Sequence, residues 1–283
     1  MQWLLSPPLN VLIWIQIALA DSTFVHRLRL KPSIANGILK YPSIALERVR
    51  MHLAGQRQDL LFKRFVRLHC LHYGPKGRGY QAIAGGTAEA RLDWYQNQVS
   101  RIEAFVDQFP DLLRYADGDS FADLGCGTGQ NIRFLVDHYP RSVIIGADMS
   151  DDAVELVREC ERHPNLQLRA GDLRDGAFLD SVLAPQVDPS LLSHVFSPIF
   201  GDSAADTRAL RQRIVDRMVA SSRKSVVVID RGGARDHLSI RIEQKQRAIV
   251  TDDVMTMFSR HTSGRTFMAQ SSQTQAVVFC RTR

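Results

Sequence analysis

The sequence predicts an α/β fold with a mostly parallel sheet that ends in an antiparallel C-terminal hairpin, preceded by a helical N-terminal region. Three observations carry this. From residue 119 onward, short β-rich runs alternate with helical stretches, which is the pattern of βαβ units. At 121–131 an apolar run passes through a glycine-rich turn directly into a helical stretch. Near the C-terminus two β-rich runs are joined by a short polar turn. Strands so closely joined pair antiparallel, because a parallel crossover needs about a dozen residues or more.

The 283 residues suffice for one large or two modest domains, and 45% hydrophobic with 23% charged residues is ordinary for a folded chain. The change of pattern divides the chain into residues 1–118, helical, and residues 119–283, sheet-bearing. The first part is broken by Pro7-Pro8, Pro32, Asn36-Gly37, Pro42 and the glycine-rich run from Gly74 to Gly86. Leu9–Ala20 is apolar apart from Asn10 and Gln16. It is shorter than the roughly 20 residues of a membrane span, and no basic residue precedes it as in a signal peptide. It reads as a buried helix or as a membrane-surface or partner-docking helix. Leu61, Phe65, Leu68 and His72 recur at helical spacing, with Lys63 and Arg67 opposite and Arg57 and Arg64 nearby. This basic helix near 57–67 is either a core-facing helix with a solvated side or a surface for phosphate, nucleic acid or anionic lipid. A further helix is expected over Ala88–Phe109, with Leu92, Tyr95, Val99, Ile102 and Val106 as its apolar stripe.

In the second part, strands are expected at Phe121–Leu124, Val143–Ala147, Leu166–Arg169, Leu191–Phe196 and Ser225–Asp230. Helices are expected at Asn131–His138, Asp151–Glu161 and Asp206–Ala220. A helix near Asp252–Ser259 then precedes the hairpin strands Thr266–Gln270 and Ala276–Arg281.

Charge is unevenly distributed. Residues 1–80 hold 12 Lys/Arg against three acids, net +9, whereas residues 81–283 hold 24 against 27, net −3; together these make the chain's +6. A uniformly basic protein is excluded, and any polyanion partner belongs to the N-terminal part. The four cysteines, Cys70, Cys126, Cys160 and Cys280, form no CxxC pair. That argues against a zinc site or a disulfide scaffold and fits a reducing, cytoplasmic compartment. His69 and His72 lack the matched ligands of a metal site, and no metal is expected.

The glycine turn is Asp123-Leu124-Gly125-Cys126-Gly127-Thr128-Gly129-Gln130. Glycines at 125, 127 and 129 permit positive φ and close approach of a ligand to the backbone. The helix N-terminus beyond them offers free amides and a positive dipole end. A P-loop needs Gly-Lys-Ser/Thr, which is absent, and a dinucleotide fingerprint needs glycine where Gln130 stands. A carboxylate-bearing ligand therefore suits the turn better than a phosphate. The segment resembles motif I of the class I S-adenosylmethionine-dependent methyltransferases, and the resemblance runs from about Ser120 to the C-terminus. It implies a Rossmann-like seven-stranded sheet with a reversed final strand, and S-adenosyl-L-methionine as cofactor.

The resemblance also implies site residues. Asp148, at the end of the second strand, would accept bonds from both ribose hydroxyls, and Met149 would lie on the adenine. Asp172 would bond the adenine amino group and Leu173 would offer its backbone N–H. Asp123 would shape the loop and help hold the ligand's amino group. Gly125, Gly127 and Gly129 would line the cofactor, with Cys126 a small space-filler. Toward the end of the expected fourth strand, His194 is a candidate general base or a residue that packs under the cofactor. Tyr80, Trp94 and Tyr95 are candidates for covering cofactor and substrate, or for core packing. Arg231-Gly232-Gly233 reads as a substrate-side loop or an ordinary turn. The implied activity is methyl transfer to an oxygen or nitrogen nucleophile, with a small molecule or glycan precursor as first acceptor. Membrane-linked acceptors, reached through residues 9–20 and the basic helix, rank second, and nucleic acid ranks third. A non-catalytic cofactor-binding or scaffold protein is the alternative from another class. The oligomeric state is not legible.

Overall fold

The computed structural model describes residues 80, 83–183, 187–193, 204–231, 253–270 and 274–282, all within one compact unit. The apolar segment 9–20, the basic helix near 57–67, His69, His72, His194, Gly232 and Gly233 lie outside the described residues. The described elements are α1 (Ala88–Gln96), α2 (Glu103–Gln108), α3 (Pro110–Leu113), β1 (Ser120–Leu124) and α4 (Gln130–His138). They continue as β2 (Val143–Asp148), α5 (Asp151–Cys160), β3 (Leu166–Ala170), α6 (Gly176–Leu183) and β4 (Val187–Ser193). The last are α7 (Ala204–Ser221), β5 (Ser222–Arg231), β6 (Gly264–Gln270) and β7 (Thr274–Arg281), with residues 253–259 helical ahead of β6.

The strands form a single sheet in the order β3-β2-β1-β4-β5-β7-β6. The first five are parallel, and β7 runs antiparallel to both β5 and β6. The C-terminal hairpin is therefore antiparallel as expected, with its last strand inserted between β5 and β6. Period-2 alternation splits the core into two layers. Ala122, Ile145, Val226, Val228, Val277 and Phe279 meet α6, α7 and the 253–259 helix on one face. Phe121, Ile144, Val227, Ile229 and Val278 meet the α1–α5 side on the other. In β5, Val226 to Ile229 are all at most 1% exposed; burying four such side chains contributes about 6–12 kcal/mol. A strand apolar on both faces is what a central parallel strand requires.

Three expectations change. The helix expected over Ala88–Phe109 is two helices. Asn97 caps α1, its Nδ2 donating to the carbonyl of Asp93 at 2.9 Å. The amides of Arg101 and Ile102 then donate to Oδ1 of Asn131 on α4, each at 3.2 Å, instead of continuing a helix. Of the expected stripe, Leu92 and Val99 are 41% and 73% exposed, while Tyr95 and Ile102 are buried. The fourth strand begins at Val187, earlier than the expected Leu191. Asp188 anchors that start: its Oδ2 accepts the amide of Ser120 at 2.9 Å and its Oδ1 pairs with Arg223 at 3.2 Å. Pro189, which has no N–H for the ladder, sits where the β4–β5 register shifts. Finally, α6 was not anticipated. Its signal was available in Phe178, Leu179, Val182 and Leu183 at helical spacing, with Asp175 accepting the amide of Ala177 at 2.9 Å.

Candidate cofactor site

The site is built at the carboxyl ends of β1, β2 and β3. After Leu124 the chain turns through Gly125 (φ 73°), Gly127 (φ 53°) and Gly129 (φ 88°), all in the left-handed region that favours glycine. The amides of Gly125 and Cys126 both donate to the carbonyl of Ala147, at 2.7 and 3.0 Å, hooking the loop onto β2. The amide of Gly129 donates to the carbonyl of Cys126 at 3.0 Å and closes the turn. At Gly129 there is no room for a side chain: a Cβ would stand 2.8 Å from Tyr95 Cε2 and 2.9 Å from Val157 Cγ2. Of the loop amides from 125 to 129, only that of Thr128 makes no hydrogen bond among the described residues. Gly129 is the N-cap of α4 and supplies no side-chain cap, so the positive end of that helix is left open beside the loop.

Asp148, the last residue of β2, faces this loop and is buried. Its Oδ2 accepts the amide of Gly127 at 2.9 Å and its Oδ1 accepts that of Ser150 at 2.9 Å. Burial pushes its carboxyl above the ordinary carboxylate range, outweighing the amides of Ser150, Gly127 and Met149 that favour the charged form. Asp123, on β1, is fully buried, and its Oδ1 accepts from Asn131 Nδ2 at 3.3 Å. Cys126 is buried, and desolvation, then Asp148 and Asp123, raise its thiol well above the usual range, so it stays protonated.

Gly171, Asp172 and Leu173 follow β3 directly, as expected. Asp172 is half-exposed and held by Arg174, whose Nε lies 2.9 and 2.7 Å from its two oxygens. Partial burial raises the Asp172 carboxyl, but the bonds to Arg174 outweigh it and hold the pKa below the ordinary value. Met149 is partly buried next to Asp148.

The two halves of the described chain meet at the loop. Tyr80 lies over it, with its hydroxyl 2.8 Å from where a Cβ on Gly127 would be. Tyr95 is core: its ring packs against Gly129, and its hydroxyl donates to Glu161 Oε2 at 3.1 Å. Trp94 is 47% exposed, and its Nε1 is 3.5 Å from Thr128 Oγ1. Sequence reasoning missed Gln98, Thr128 and Asn131, because polar residues of ordinary type carry no pattern. Among the described residues, no group of three His, Cys, Asp or Glu side chains is placed to hold a metal.

The residues present fit S-adenosylmethionine. A buried carboxylate with lone pairs beyond its two backbone bonds suits a ribose diol. One open loop amide beside an uncapped helix N-terminus suits the ligand's carboxylate end.

Residues 121–195 match the family described as a methyltransferase domain. Among solved structures, the chain is similar to the plantazolicin methyltransferase BpumL, solved in complex with S-adenosylhomocysteine. The identity is 11%, covering 78% of this chain and 96% of that one, with a TM-score of 0.53. A methyltransferase from Aquifex aeolicus matches at 12% identity over 70% of this chain and all of that one, TM-score 0.45. Human N-acetylserotonin methyltransferase matches at 13% identity over 70% of this chain, TM-score 0.44, and the match spans 57% of the human protein. The glycine loop, the β2 carboxylate and the family match lie on the same strands, so residues 121–195 carry a methyltransferase domain within a Rossmann-like α/β fold.

Proposed function

We propose that the chain moves a methyl group to an oxygen or nitrogen nucleophile of a small molecule or glycan precursor. The observation that carries the cofactor half of this reading is Asp148, buried at the end of β2 and bonded to the amide of Gly127 within the glycine loop. The acceptor half rests on charge: residues 119–283 hold 21 Lys/Arg against 21 Asp/Glu, so the methyltransferase domain has no positive surplus to draw a polyanion.

When bound, S-adenosylmethionine supplies an activated methyl group on a sulfonium. The protein's task is then to hold and align. Asp148 accepts the ribose hydroxyls, Met149 covers the adenine, and Leu173 offers its backbone N–H. Asp172 serves the adenine amino group once Arg174 gives way or shares it. Asp123, with Gly125, Cys126, Gly127 and Gly129, shapes the loop around the amino-acid end. Tyr80 closes the site from the N-terminal side and excludes water. Such alignment can supply up to ~7–11 kcal/mol of the acceleration. His194 follows β4 directly in sequence; it takes the proton from an acceptor hydroxyl or amine, where the acceptor needs a base. In this reading residues 1–118 form the lid and acceptor or docking region and residues 119–283 the cofactor domain, in the cytoplasm.

The +9 carried by residues 1–80 favours a second reading, in which a membrane-linked acceptor is met at an anionic surface. No helix among the described residues is long and apolar enough to cross a membrane. Labelled-methyl transfer into cell extract fractionated into small-molecule, glycan, lipid, nucleic acid and protein pools tests both. Label in the small-molecule or glycan pool supports the first reading and label in lipid the second. Label only in nucleic acid or protein overturns both, and S-adenosylhomocysteine binding with no transfer to any pool indicates a non-catalytic binder.

A further inference from the structure

Asp148 and Ala147 hold the glycine loop from within the sheet; its far side is held by the segment that precedes the sheet. Gln98 makes a reciprocal pair with Thr128: its Nε2 donates to the Thr128 carbonyl at 2.8 Å, and Thr128 Oγ1 donates to its Oε1 at 2.6 Å. Trp94 Nε1 approaches the same hydroxyl at 3.5 Å. Thr128 stands between Gly127 and Gly129, both at positive φ and both without side chains to restrain them. The Thr128–Gly129 peptide is pinned at each end, its N–H by the Cys126 carbonyl and its C=O by Gln98. That peptide fixes where the neighbouring Thr128 amide and the first amides of α4 point.

We propose that Gln98 is a positioning residue for the cofactor, clasping Thr128 so that docking of residues 83–102 and the binding-competent shape of the loop form together. The proposal rests on the reading of this loop as the S-adenosylmethionine site. A second link runs through Asn131, whose Oδ1 accepts the amides of Arg101 and Ile102 and whose Nδ2 donates to Asp123. The same segment thus holds the loop at Thr128 and, through Asn131, the buried carboxylate of Asp123. Linkage makes the effect mutual: whatever favours the docked segment strengthens cofactor binding, and bound cofactor protects the segment from opening.

Isothermal titration with S-adenosylhomocysteine, paired with amide hydrogen exchange over residues 83–98, tests this on the full chain. Gln98→Ala should weaken binding roughly tenfold, as expected for losing a reciprocal hydrogen-bonded pair. It should also abolish the protection that the ligand confers on 83–98 in the wild type. Thr128→Ser, which keeps both bonds, should bind like the wild type. Thr128→Val, which loses the hydroxyl alone, should weaken binding less than Gln98→Ala. The double variant Gln98→Ala/Thr128→Val should lose less than the product of the two single losses, because both act on one clasp. Gln98→Ala binding within about twofold of wild type, or effects that simply multiply, would overturn the proposal. A wild-type chain that binds no S-adenosylhomocysteine would instead overturn the cofactor reading beneath it.

Discussion

Replacing Asp148 with Asn keeps the side chain's shape and changes only its charge and hydrogen-bonding capacity. The carboxylate serves two backbone amides, one per oxygen, those of Gly127 and Ser150, each at 2.9 Å. Asparagine has a single acceptor oxygen, so its NH2 must face one of those amides. An unpaired buried amide costs about 1–3 kcal/mol, equivalent to roughly 2–12 °C in Tm for a unit of this size. The loss should fall at the low end, because burial already disfavours the charged form of Asp148 and the neutral amide is relieved of that penalty. Cofactor affinity should suffer more. Two ribose hydroxyls lose an anionic acceptor, and with charged hydrogen bonds worth about 1.5–3 kcal/mol each and partial replacement by the amide, about 2–4 kcal/mol is at stake. That corresponds to S-adenosylhomocysteine binding weakened about 30- to 1,000-fold. Titration calorimetry reads the affinity and a thermal melt reads the stability of the same sample. An intact melt with affinity within about threefold of wild type would refute the ribose role and the reasoning behind it.

Asp148 also sets a pH dependence. Its folded carboxyl titrates above the ordinary value, and ribose donors favour its charged form, so cofactor binding lowers its pKa. Affinity for S-adenosylhomocysteine should therefore fall as pH drops through the free site's titration, and Asp148→Asn should flatten that fall; calorimetry across acidic pH decides it. For stability the sign is the reverse: an acid whose folded pKa is raised costs stability once ionised. The unliganded chain should therefore gain from this group as pH falls through the raised pKa toward the unfolded value. Gly129→Ala should destabilise by about 2–5 kcal/mol, from the left-handed φ of 88° and the contacts with Tyr95 and Val157. A urea denaturation midpoint unchanged from wild type would contradict the packing at that position. Lys224→Met removes the cation lying 2.5 and 2.6 Å from the buried Asp119 carboxylate. The cost should be about 1–3 kcal/mol, less than for a fully buried pair because Lys224 is partly exposed, and the extra Asp119→Asn change should restore part of it in the same denaturation assay.

The strand, glycine turn and helix at 120–138 were legible because each rests on neighbours in sequence. Apolar residues every second position make β1, the glycines supply positive φ, and the 3.6-residue period makes α4. The same holds for Asp148 closing β2, Asp172 following β3 and the antiparallel hairpin, whose short turn leaves no other pairing. The break after Gln96 was not legible, because it depends on Asn131 taking the amides of Arg101 and Ile102 from about 30 positions away. Nor was the start of β4, which is set by Asp188 reaching Ser120 and Arg223.

The sequence by itself determined the α/β class, the glycine loop and the places of Asp123, Asp148 and Asp172 along the strands that lead to it, since periodicity, turn chemistry and short motifs act over a few residues. Only the tertiary structure decided that β7 lies inside the sheet between β5 and β6, that Tyr80 covers Gly127, and that Gln98 clasps Thr128. Those choices are made between groups far apart along the chain. Which strand edge, ring or amide fills a given place depends on packing and hydrogen-bond satisfaction across the whole unit, and neither leaves a local pattern to read.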